Sequence, residues 1–104
     1  MLTKETAINT VRAFIDACYK KDIRFSKVIL FGSVASDTNH EYSDIDVALV
    51  SDNFSGNPYA DWHILSPINI KFTDIEPHPF TTEYFEKGDP FINEIKKTGI
   101  EIRF

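Results

Sequence analysis

Two segments decide the fold: Phe31-Gly32-Ser33-Val34-Ala35-Ser36-Asp37 and, after a short polar interval, Ser43-Asp44-Ile45-Asp46-Val47-Ala48-Leu49-Val50. The first is entered from Lys27-Val28-Ile29-Leu30, so one apolar, β-branched run stops at Gly32 and a second, Ile45–Val50, starts beside two acids. Runs this short and this apolar are buried strands. Residues 33–37 are long enough only for the first turns of a helix, and residues 39–43 read as polar loop. Glycine at the end of a strand lets another group approach the backbone closely. The free amides of a helix start suit phosphate, and Ser33 adds a hydroxyl donor. Asp44 and Asp46, two apart at the head of a strand, share one face. Two such carboxylates repel each other unless a cation lies between them. Hard oxygen donors on a rigid strand suit Mg²⁺, which also takes phosphate oxygens. Two ions about 3.5–4 Å apart activate an attacking hydroxyl and stabilise a leaving pyrophosphate.

A third carboxylate from a neighbouring strand is expected to complete such a site. Ile68–Glu76 alternates apolar and polar residues and reads as that strand, ended by Pro77 and Pro79, which cannot donate to a ladder. Glu76 is the first candidate for the third acid and Asp74 the second. Gly-Ser, ten residues, then Asp-x-Asp arises by chance in roughly one chain of this length per thousand. The flanking strands make coincidence rarer still.

Around this centre the periodicity predicts a helix over Lys4–Lys20, with Ile8, Val11, Ile15 and Cys18 on its apolar stripe and Thr3 as N-cap. Tyr59–Leu65 reads as a short helix before Pro67, and Thr82–Glu86 as one helical turn. Asp89-Pro90 opens a last helix striped by Phe91, Ile92 and Ile95, with Gly99 as its left-handed terminator. Ile100–Phe104 alternates as a final strand. The fold class expected is α+β (α/β-like), a mixed β-sheet flanked by helices.

The Gly32-Ser33 and Asp44-x-Asp46 motif, set in these two strands, resembles that of the DNA polymerase β-type nucleotidyltransferase superfamily. The small size points to its minimal branch, the MNT proteins. The motif covers about a fifth of the chain. The resemblance implies Mg²⁺ and a nucleoside triphosphate on the open face of the sheet. Gly32 and Ser33 would hold the phosphates, Asp44 and Asp46 would ligate metal, and Glu76 would be the third acid. Pro77 and His78 depart from the apolar residues usual after that acid. Many MNT proteins are antitoxins of a HEPN-domain ribonuclease toxin, and some add AMP to a tyrosine of it. The implied activity is therefore transfer of AMP from ATP to a hydroxyl of a partner protein. Relatives that modify aminoglycosides carry a further helical domain, so here a partner or a dimer mate is expected to grip the substrate.

The rest of the sequence bounds this reading. The chain has 104 residues, enough for one domain spanning 1–104. With 42% hydrophobic and 13% aromatic residues it can bury a core. A net charge of −5 without a long basic run argues against general nucleic-acid binding. Apolar runs of four residues cannot span a membrane, and the start does not resemble a signal peptide. One cysteine, Cys18, excludes an internal disulfide, reads as core, and suits a reducing, cytoplasmic setting. His40, His63 and His78 are scattered without ligand spacing, and His78 is the nearest to the strand-end acids. Two other functions stay open. One is an idle binding module that covers its partner, with Trp62, Phe80, Tyr84 and Phe85 as contact anchors. The other is a free-standing enzyme acting on a small molecule.

Overall fold

The computed structural model describes residues 3–36 and 44–104. Asp37, His40 and the 39–43 loop lie outside the described residues.

Among the described residues, the elements follow in the order α1 (Lys4–Tyr19), β1 (Lys27–Phe31), α2 (Gly32–Ala35), β2 (Ile45–Val50), α3 (Pro58–Asn69), β3 (Ile75–Phe80), α4 (Thr82–Lys87), α5 (Pro90–Thr98) and β4 (Ile100–Glu101). The strands form one sheet in the order β3-β2-β1-β4. β1 is antiparallel to both β2 and β4, whereas β2 and β3 run parallel, so the sheet is mixed as expected.

Alternation along each strand divides the apolar residues between two faces. Val28, Leu30, Ile45, Val47, Leu49 and Ile75 face the larger core, where Ala7, Val11, Phe14, Ile15 and Cys18 of α1 and Leu65 and Ile68 of α3 cover them. Ile29, Phe31, Ala48 and Val50 face the other way, against Phe85 of α4 and Ile92 and Ile95 of α5. Thr3 caps α1, its Oγ1 accepting from the Thr6 amide, and Asp89 caps α5, accepting from the Ile92 amide.

Four expectations need correction. α3 runs on to Asn69 through Pro67, which forgoes only one bond near the helix end. Ile68–Asp74 is therefore helix end and turn, and β3 begins at Ile75 and contains both prolines. The prolines fit because β3 is the edge strand. The carbonyls of Asp74 and Phe80 accept from the Ile45 and Ser51 amides, so the even-numbered residues bond to β2. Residues 77 and 79 point their backbone nitrogens away from the sheet, where no donor is needed. Gly99 is not left-handed: its φ is −79° and its ψ 167°. Glycine is required there for space, because a Cβ would stand 2.6 Å from the Ile95 carbonyl oxygen and overlap the Ile29 side chain. Finally, β4 is only two residues long, although the Ile102 amide extends the contact by bonding to Val28.

Candidate active site

Register brings the site together. Phe31 of β1, Asp46 of β2 and Glu76 of β3 lie directly opposite one another in a row across three strands. The next row carries Ile29, Ala48 and His78. These rows lie on the α4/α5 side of the sheet, where Phe31 and Phe91 wall the site from the apolar residues behind it. Their rings meet edge to face at 5.6 Å.

Asp46 is the centre, with its side chain about a quarter exposed. Its Oδ1 lies 3.3 Å from His78 Nε2. Ligand atoms of Asp46, Glu76 and His78 all fall within 4.8 Å of one another. The Glu76 carboxyl titrates above its ordinary value of 4.5, first because it hydrogen-bonds Asp46, then through partial desolvation and the Asp46 charge. The Asp44 charge pushes the same way, and His78 opposes it. Among the described residues, no lysine or arginine pairs with Asp46 or Glu76. Two carboxylates in contact, with a third close enough to act on them, make a donor set that fits a hard divalent cation.

Gly32 sits beneath Asp46. Its φ is +78°, in the left-handed region. A Cβ there would lie 3.2 Å from the Asp46 carboxyl carbon and overlap Oδ2. The close approach that the glycine permits is, in this structure, that of the Asp46 carboxylate. Ser33 follows at the start of α2, half-buried. Asp44 is exposed, one residue before β2, and stands outside the three-residue cluster. Asp74 is also exposed and outside the cluster, so Glu76 is the acid that meets Asp46.

Residues 11–104 match the family model of the nucleotidyltransferase domain. The chain belongs to this nucleotidyltransferase domain family. No curated protein matches the sequence. Among solved structures, a chain from the crystal structure of a toxin-antitoxin with AMP-PNP superposes with a TM-score of 0.59. It shares 19% identity, and the match covers 90% of this chain and 70% of that one. At this identity the likeness shows the fold, a mixed sheet flanked by helices.

Within this nucleotidyltransferase domain, the histidine nearest the strand-end acids in sequence, His78, joins Asp46 and Glu76 in one cluster. Spacing between histidines carried no signal, because its neighbours come from other strands. The signal was alternation: two residues after Glu76 on the same strand, it reaches the same face. His63 is exposed on α3, its ring 6.3 Å from that of Tyr59, well away from the site residues in the fold. Cys18 is fully buried, and burial pushes its thiol up to about 12, which suits a core residue and not a nucleophile. Of the four proposed contact anchors, Trp62 and Tyr84 are half exposed, Phe80 is partly covered and Phe85 is buried.

Proposed function

We propose that this domain transfers a nucleoside monophosphate, AMP from ATP, to a hydroxyl of a partner protein. The observation that carries the proposal is the row in which Asp46 and Glu76 meet over Gly32. Asp46 and Glu76, with Asp44 beside them, would hold Mg²⁺, two ions in the bound state. Bound there, the metal would supply charge stabilisation for the five-coordinate phosphorus of the transition state and lower the pKa of the acceptor hydroxyl. Gly32 and Ser33 orient the triphosphate. Asp46 and Glu76 would also hold the acceptor oxygen in line with the α-phosphorus and the bond to the departing pyrophosphate, so that the O–P bond to the acceptor forms as that bond breaks.

The partner we infer is a toxin of the HEPN class, with this chain as its antitoxin in a cytoplasmic setting. The sequence motif supports this, and so does the likeness in fold to a toxin-antitoxin structure solved with AMP-PNP. The half-exposed Trp62 and Tyr84 and the largely exposed Tyr59 favour a second reading, in which contact alone neutralises the partner.

Calorimetric titration of ATP, with and without Mg²⁺, tests the first reading beside an Asp44→Asn/Asp46→Asn double variant. Binding that requires both the metal and the acids is expected. Mass spectrometry of the co-purified partner should then show the mass of one AMP added to it, absent with the double variant. A double variant that still neutralises the partner, with no AMP added by the wild type, would leave contact as the mechanism.

A further inference from the structure

His78 has no role in the transfer described so far, yet its surroundings are those of a ligand. Nε2 stands 3.3 Å from Asp46 Oδ1. A charge-assisted N–H···O bond closes to about 2.7–2.9 Å. Two donors at right angles on an ion with bonds of about 2.1 Å stand about 3 Å apart. At 3.3 Å the pair forms a long hydrogen bond, and two donors at that spacing are also close enough to share one ion. Glu76 offers its donor from the same side, within 4.8 Å of both.

The imidazole is also held in place. Its ring lies edge-on to Phe31 at 5.0 Å and to Phe91 at 6.0 Å. Ala48, directly opposite on β2, is fully buried in the apolar cluster that includes Phe31, so the strand beside the imidazole is fixed by packing. An imidazole fixed by two aromatic rings gives up little rotational freedom when it binds an ion.

We propose that His78 is a metal ligand of this site, and that its nitrogen tunes the site toward first-row divalent ions that accept imidazole, away from an all-oxygen Mg²⁺ centre. The inference rests on the placing of a cation between Asp46 and Glu76, and it adds a nitrogen ligand beside the carboxylates and the class of ion.

Co²⁺ is the probe, added alone to the full chain. Wild type, His78→Phe and Asp46→Asn are compared by calorimetry with Co²⁺ and with Mg²⁺, and by proton NMR of the Co²⁺-loaded proteins. Phenylalanine keeps the ring packing between Phe31 and Phe91, and a thermal melt checks the fold. In the wild type, an exchangeable imidazole proton shifted by the paramagnetic ion is expected. In His78→Phe that resonance should vanish and Co²⁺ affinity should fall about tenfold or more, while Mg²⁺ affinity holds.

Co²⁺ that binds through Asp46 with no shifted imidazole proton in the wild type would overturn the role of His78 and leave the nucleotidyltransferase site standing. Equal losses of Co²⁺ and Mg²⁺ in a folded His78→Phe would overturn it too, making His78 a positioning residue for Asp46. If neither ion binds the wild type, both the ligand role and the metal site beneath it fall.

Discussion

The two faces of β2 carry different chemistry at its N-terminal end. Ile45, Val47 and Leu49 point into the main core and are fully buried. One residue out of phase, Asp46 points the other way, keeps about a quarter of its side chain exposed, and meets Glu76. The same backbone thus anchors the main core on one side, while on the other Ala48 and Val50 pack against the second apolar cluster and Asp46 at its head presents charge. A strand clamped by packing holds a carboxylate where a loop would let it wander, and Asp46–Glu76 repulsion is borne by contacts that the acids do not make themselves.

Asp46→Asn should break the comparison on the chemical side alone. Metal-dependent ATP binding and transfer should be lost, while the melting temperature stays level or rises, because a carboxylate–carboxylate contact is relieved. A large fall in thermal stability would show that the carboxylate also holds the fold.

Leu49→Ala attacks the opposite face of the same strand. It should cost about 2–5 kcal/mol in denaturant unfolding. Nucleotide binding per folded molecule should be unchanged, as titration under stabilising conditions would show.

Gly32→Ala should touch both sides at once. The left-handed backbone alone costs about 1–2 kcal/mol. The added methyl group must also displace Asp46, so metal affinity should fall with stability. By contrast, Gly99→Ala should lower stability and leave the metal affinity intact.

At neutral pH the smallest effect belongs to Cys18, on the α1 side of the core. Its thiol is raised to about 12 from an ordinary value of 9.0. The folded state therefore favours the neutral thiol. Its contribution is complete below pH 9.0 and is lost as pH rises toward 12. Cys18→Ser should flatten that part of the stability–pH curve. At pH 8 a thiol reagent should label the wild type only after unfolding.

Much of this layout is legible in the sequence. β1 and β2 are runs of apolar, β-branched residues with no competing pattern, and Thr3, Asp89 and Pro90 announce their helix starts. β3 is not legible by the same rule. Ile68–Phe72 alternates well enough to resemble a strand, and Pro77 and Pro79 look like stops. Only the sheet order shows that they lie at an edge, with their nitrogens facing outward. The same displacement hides His78, because its place beside Asp46 follows from register and not from spacing along the chain. Glu76 was within reach, since an acid on the strand next to Asp-x-Asp was expected. Its registry with Asp46 came from the pairing of β2 with β3.

The two prolines of β3 carry one more consequence. An open sheet edge usually invites another chain to extend the sheet through main-chain pairing. At this edge the outward-facing residues 77 and 79 have no amide hydrogen to offer. The opposite edge, β4, is two residues long. Neither end gives an incoming strand a full ladder. At these two edges main-chain strand addition is disfavoured, and the sheet that carries the acids is guarded there against the stray self-association that exposed edges promote.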